Sequence, residues 1–156
     1  YQCDWSSDVC SSDLGMGTIA IARSQVNAIV AHARAGAPDE VCGVVAVRDG
    51  TVVSVVPTRN AAATPRNRFE IDSRDLMRIV EIERDGLDVG FYHSHPVSAA
   101  YPSATDINFA ELWPGALQLM VSLRHDTSGG TGPEFHAYRI VPPRVDVVPV
   151  AIDDTR

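Results

Sequence analysis

Two histidines one residue apart, His93 and His95, open a short run that closes on Asp106, and these three residues carry the densest chemistry in the chain. In an extended segment, residues two apart point to the same side, so both imidazoles can share one target. A carboxylate that returns after a short loop can close a third corner. Two ring nitrogens and one carboxylate oxygen form a normal ligand set for a catalytic zinc ion, with a fourth position left for water. A structural zinc more often takes four protein ligands and favours cysteine, and the chain has no Cys-x-x-Cys pair to supply them.

The spacing is more specific than a lone His-x-His. After His95 come seven residues and then Ser103-x-x-Asp106. This pattern resembles the JAMM (MPN-plus) metallopeptidase signature, with every fixed position filled. Glu40, in Pro38-Asp39-Glu40-Val41-Cys42-Gly43, stands where prokaryotic members of that family place an upstream glutamate. The resemblance runs from about Ile19 to Val150. It is strongest to the small bacterial branch that releases cysteine from the C-terminus of a β-grasp sulfur-carrier protein. Glu40-x-Cys42-Gly43, Ala100-Tyr101-Pro102-Ser103 and Tyr138-Arg139-Ile140-Val141 carry that placement. Pro96-Val97 follows the second histidine, as in the broader family, where the cysteine-releasing branch has Thr-Ala.

The resemblance implies a zinc-dependent peptidase or isopeptidase acting on the tail of a ubiquitin-like protein. His93, His95 and Asp106 would hold Zn²⁺, and Glu40 would move protons between water and the departing amine. Ser103 would donate a hydrogen bond to the oxyanion or to the metal-side water. Ser103-x-x-Asp106 also reads as a helix start, with Ser103 the cap and Asp106 near the positive helix end. The two readings are compatible, since capping fixes the turn that aims Asp106, and Pro102 gives a rigid entry. Cys42 reads as a small buried strand residue. His32, His125 and His136 have no partner spacing and receive no role.

The elements that must position these residues follow from pattern. Ser24 is expected to cap a helix over about Gln25 to Ala35, with Val26, Ile29, Val30 and Ala33 inward and Gly36 with Pro38 ending it. Val41 to Val47 reads as a buried strand, Asp49-Gly50 as a tight turn and Thr51 to Val56 as its hairpin partner. Pro57 to Asn67 reads as a polar loop beside the substrate, and Arg68 to Ile71 as a short strand. A second helix starts at Asp72 or Ser73, with Leu76, Ile79, Val80 and Glu83 at helical spacing. Val89 to His93 is a buried strand that delivers the motif to its end. A third helix covers about Ser103 to Leu112, with Ile107 and Ala110 inward. Ala116 to Leu123 and Phe135 to Val141 are later strands, and Val145 to Ile152 an edge strand. Strands and helices intermix, which gives an α/β class, a mixed sheet flanked by helices. The resemblance implies the same, a three-layer architecture similar to cytidine deaminases.

At 156 residues the chain has material for one core. Hydrophobic residues make up 45% and charged residues 21%, both ordinary for a globular domain. The net charge of −7 with no basic run argues against a nucleic-acid surface. No apolar stretch reaches the ~20 residues that span a bilayer, and no signal-peptide pattern appears, so a cytoplasmic location is the default expectation. Asp4 to Leu14 matches the translation of a common DNA-sequencing adapter. Residues 1–15 are therefore expected to be disordered and foreign to a domain over 16–156, with Met16 a candidate start. Two other classes compete with the peptidase reading. A non-catalytic MPN-type scaffold would usually lack the ligands. A DNA-repair-associated relative sharing His-x-His-Pro and Pro-Ser-x-x-Asp fits poorly with the acidic balance. A zinc nucleoside deaminase would need His-x-Glu and Pro-Cys-x-x-Cys, and neither occurs.

Overall fold

The structure is a computed structural model that describes residues 17–155. The expectation for residues 1–15 lies outside them. One mixed sheet of eight strands runs in the order β7-β6-β5-β4-β2-β3-β1-β8. The strands are β1 (Ile19–Ala22), β2 (Cys42–Arg48), β3 (Thr51–Thr58), β4 (Asp88–His95), β5 (Leu117–Ser122), β6 (Glu134–Val141), β7 (Arg144–Val148) and β8 (Val150–Asp153). The helices are α1 (Arg23–Gly36), α2 (Met77–Arg84) and α3 (Ala104–Phe109).

The sheet's two edges belong to one stretch of chain. β7 pairs with β6 and β8 pairs with β1, yet only Pro149 separates them in sequence. Two edges joined by one residue meet only if the sheet curls nearly closed. The expected edge strand over Val145 to Ile152 is thus two strands, one on each edge. One core cluster unites Val26, Ile29, Val30 and Ala33 of α1 with Ile19, Val45, Tyr92, Leu119, Ala137 and Val148 from strands across the sheet. The opposite face carries α2 and α3 over Cys42, Val44, Phe91, Met120 and Ile140. Helix, sheet and helices make the expected three layers.

Local chemistry explains most element ends. Asp49 and Gly50 both have positive φ, 48° and 74°, as a two-residue hairpin turn demands. α1 begins at Arg23, before Ser24, because the Gln25 side chain takes the Ala22 N–H at 3.1 Å. Ser24 is therefore a helix residue and not the cap. Asp72 accepts from the Arg74 N–H at 3.0 Å and starts a 3₁₀ turn over Ser73–Asp75 before α2. α2 buries Ile79 and Ile82, while Leu76 and Val80, at helical spacing in the sequence, are 41% and 53% exposed. Arg68 to Ile71 is not a strand; Ile71 makes one isolated antiparallel bridge to Asn60.

Gly43 shows how tightly β2 and β4 are fitted. A Cβ there would overlap the Tyr92 ring and stand 2.6 Å from the Val56 carbonyl oxygen. Gly43→Ala should lower stability by about 1–3 kcal/mol through overpacking, read as a lower urea midpoint with unchanged m-value.

Candidate metal centre

β4 carries the centre. Its residues alternate between faces, so Tyr92 and Ser94 turn toward the α1 side while Phe91, His93 and His95 turn toward α2 and α3. Parallel pairing with β5 sets His95 opposite Ser122. After the loop 96–103, Ser103 caps α3: its Oγ accepts from the Asp106 N–H at 3.2 Å. Asp106 answers with Oδ2, which accepts from the Ser103 N–H at 2.7 Å. This reciprocal capping box turns Asp106 back over the end of β4.

Three potential ligand atoms meet there. His93 Nε2 and His95 Nε2 are 3.1 Å apart. Asp106 Oδ1 lies 3.3 Å from His93 Nε2, and Oδ2 lies 3.4 Å from His95 Nε2. Bonds of about 2.0–2.1 Å at tetrahedral angles place ligand atoms about 3.3 Å apart, so the cluster has the dimensions of a zinc site. All three side chains are buried, Asp106 to 5% exposure. Among the described residues no Arg pairs with Asp106, whose side-chain ion partners are the two imidazoles. A buried anion facing two ring nitrogens fits a divalent cation. Among the described residues this is the one group of His, Cys, Asp and Glu with such convergence.

The two imidazoles are held differently. His95 Nδ1 lies 2.6 Å from the Ala99 carbonyl, so Nδ1 carries the proton and Nε2 offers its lone pair. His93 Nδ1 is buried with no hydrogen-bond partner among the described residues. Its ring is oriented by stacking on Phe69, with centroids 4.5 Å apart and planes 24° apart.

Glu40 enters from just before β2 and is 8% exposed. Its backbone is tied to the loop after β3: its N–H donates to Pro65 O at 2.6 Å, and its carbonyl accepts from Asn60 Nδ2 at 2.8 Å. Burial pushes the Glu40 carboxyl up to about 7, with Asp106 reinforcing and His95 opposing the shift. A carboxyl near neutrality suits proton transfer in both directions. Burial also works against ionised Asp106, yet His93, His95 and the Ser103 N–H hold its carboxyl well below the usual carboxylate range. For His95 burial favours the neutral ring, and Asp106, the Ala99 carbonyl and Glu40 outweigh it and raise the pKa.

The structure thus brings His93, His95 and Asp106 together, sets buried Glu40 within electrostatic reach of His95 and Asp106, and places Ser103 as the adjoining cap. Ser103 Oγ is an acceptor in that cap, which leaves its hydroxyl proton available to donate. Cys42 is buried and free, 3.4 Å from Thr58 Oγ1, as a strand residue should be. His32 does have a partner after all, the Tyr92 hydroxyl at 2.8 Å. Two residues with a part in the site escape sequence reading. Asn60 makes four hydrogen bonds, two from Nδ2 to the Glu40 and Arg68 carbonyls and two to Oδ1 from the Ala62 and Glu70 N–H groups. Phe69 stacks on a ligand from a segment expected to be a strand. An Asn inside a polar stretch and a Phe after two arginines give no periodic signal of either role.

Comparison with known proteins agrees with this geometry. The family model for prokaryotic homologs of the JAB domain matches residues 22–140. A protein named desampylase from Haloferax volcanii is 43% identical over 127 residues, covering 75% of this chain and 91% of that protein. A protein named CysO-cysteine peptidase from Mycobacterium tuberculosis is 37% identical over 131 residues, covering 81% of this chain and 86% of that one. A solution structure from Desulfitobacterium hafniense superposes with a TM-score of 0.74 at 29% identity, over 88% of this chain and 94% of the other. A JAB1/MPN domain protein from Archaeoglobus fulgidus shares the fold, with a TM-score of 0.56 at 16% identity, over 87% and 98% of the chains.

Proposed function

This chain belongs to the prokaryotic homologs of the JAB domain, and we propose that it is a zinc-dependent hydrolase of the amide bond at the C-terminal tail of a ubiquitin-like sulfur carrier. The observation that carries the reading is the convergence of His93 Nε2, His95 Nε2 and the Asp106 carboxylate, with buried Glu40 beside them. Relatives named for peptidase and desampylase activity support the substrate class.

His93, His95 and Asp106 would hold the ion. When bound, zinc supplies polarisation of the scissile carbonyl and acidification of water. The rest falls to the chain's own groups. Glu40, ionised, takes a proton from the attacking water and returns it to the departing amine. Ser103 donates its hydroxyl proton to the oxyanion, a contact whose loss typically costs about 2.7–4 kcal/mol of barrier. Asp106 and the two imidazoles are fixed before substrate arrives, so little reorganisation accompanies the reaction.

A groove of about 600 Å³ is lined among others by Phe69, Ile71, Leu76, Phe109 and Trp113, and by none of the candidate site residues. Phe69 belongs to both groove and centre, since it stacks on His93. An extended, glycine-ending tail suits such a channel. Among the described residues no helix is long and apolar enough to cross a membrane. We place the activity in the cytoplasm, where reducing conditions would keep buried Cys42 a free thiol.

The test is incubation of zinc-loaded protein with carrier–cysteine and carrier–lysine adducts, followed by intact mass. The expected result is loss of the mass beyond the carrier's terminal residue. No cleavage of either adduct, with zinc bound, contradicts the reading. A non-catalytic scaffold is disfavoured by the complete ligand set, and the acidic balance disfavours a DNA-repair role.

A further inference from the structure

The loop between the ligands, 96–103, is held by side chains that the proposed chemistry does not use: the Glu134 carboxylate accepts from the Ala100 N–H at 3.5 Å, and two further side chains bind the loop's carbonyls. Ser122, on β5, donates from Oγ to the Ser98 carbonyl at 2.5 Å. Tyr138, on β6, donates from its hydroxyl to the Ala100 carbonyl at 2.6 Å. Between these pinned carbonyls lies Ala99, whose own carbonyl accepts from His95 Nδ1 at 2.6 Å and from the Tyr101 N–H at 2.8 Å. Ser122 is fully buried, Tyr138 is 4% exposed and Ala100 is 2% exposed. The Tyr138 ring also meets Tyr101 edge to face, with centroids 5.7 Å apart.

We propose that Tyr138 and Ser122 are positioning residues for the metal centre: they clamp the carbonyls either side of Ala99 and so fix the His95 ring. The inference rests on the metal site proposed above. His95 can offer Nε2 to a cation only while Nδ1 keeps its proton, and the Ala99 carbonyl is what holds that proton. A carbonyl in a free loop would satisfy this bond only part of the time. Here its two neighbours are tied to adjacent strands, and one of those strands, β5, is paired with β4 at His95 itself. The sheet that carries the ligand therefore also carries the ligand's hydrogen-bond acceptor. This gives a role to Tyr138 and to the Ala100-Tyr101 segment, two stretches that stood out in the sequence without one.

The test is zinc affinity, by competition with a chromophoric chelator, for the full-length wild type, Tyr138→Phe and Ser122→Ala. The absorption spectrum of the Co²⁺-loaded proteins reports ligand geometry alongside. Tyr138→Phe removes one hydroxyl and keeps the ring, so the fold should persist. The expected result is about a 10-fold weaker zinc affinity with an altered Co²⁺ spectrum, and a larger loss when both substitutions are combined. Wild-type affinity and spectrum in both variants overturns the clamp, and so does a lower melting temperature with zinc affinity unchanged. Should Ser122→Ala fail to fold, Tyr138→Phe alone decides. A wild type that binds no zinc overturns the metal site itself, a result distinguishable from failure of the clamp.

Discussion

Glu40→Gln is expected to leave fold and zinc content intact and to lower kcat by about 10²–10⁴-fold. Gln keeps the size and one acceptor oxygen but cannot take or return a proton. The loss should fall on kcat, because Glu40 sits beside the convergent ligand atoms and not along the apolar groove. The pH profile should change with it. Burial pushes the wild-type carboxyl up to about 7, and the base works only when ionised, so wild-type kcat/KM should rise as pH increases toward neutrality. A divalent cation beside Glu40 favours the carboxylate and moves that rise to lower pH. The Gln variant should lose the rising limb. The same raised pKa has a stability consequence for the metal-free protein. The unfolded carboxyl ionises near its ordinary value of 4.5 while the folded one resists until about 7. Folding stability from this group therefore declines as pH climbs across that window. Equal turnover by wild type and Glu40→Gln would remove Glu40 from the mechanism.

Asp106→Asn should be more severe. An Asn oxygen can still accept the Ser103 N–H, so the cap on α3 survives. The charge that balances a cation does not. Zinc affinity should fall by more than the ~10–100-fold typical of an outer-shell change, and turnover should drop to background. Metal-linked stability gives an independent reading. With free zinc at a thousandfold excess over the wild-type Kd, wild type should gain about 4 kcal/mol, and the Asn variant should gain less than about 1.4 kcal/mol at the same concentration. In the metal-free protein Asp106 also behaves oppositely to Glu40. Its folded carboxyl lies well below the usual range, so its contribution is present above the unfolded pKa and is lost as pH falls.

The pattern of residues made the His-His-Asp cluster legible because each of its three side chains sits where local structure alone aims it. Strand alternation puts His93 and His95 on one face, and a capping box turns Asp106 toward them. The core strands were legible for a similar reason: Val44 to Val47 and Leu119 to Val121 are apolar runs buried on both faces. What escaped depends on contacts far apart in sequence. Nothing in the residues near Pro149 says that β7 and β8 take opposite edges of the sheet; that follows from pairing with β6 and with β1. Leu76 and Val80 fit a helical stripe in sequence, but α2 buries the face of Ile79 and Ile82 and leaves both exposed. Asn60 works through four backbone groups, three in its own loop and one at Glu40, and the acceptor for His95 is the main chain of an alanine. A backbone carbonyl leaves no trace in residue type.

The most direct measurement is a crystal grown with excess Zn²⁺ and recorded at the zinc absorption edge. The account predicts one anomalous peak per chain, within ordinary zinc–ligand distance of His93 Nε2, His95 Nε2 and a carboxylate oxygen of Asp106. An anomalous map with no peak among those three side chains, or with the only peak elsewhere on the chain, would contradict it.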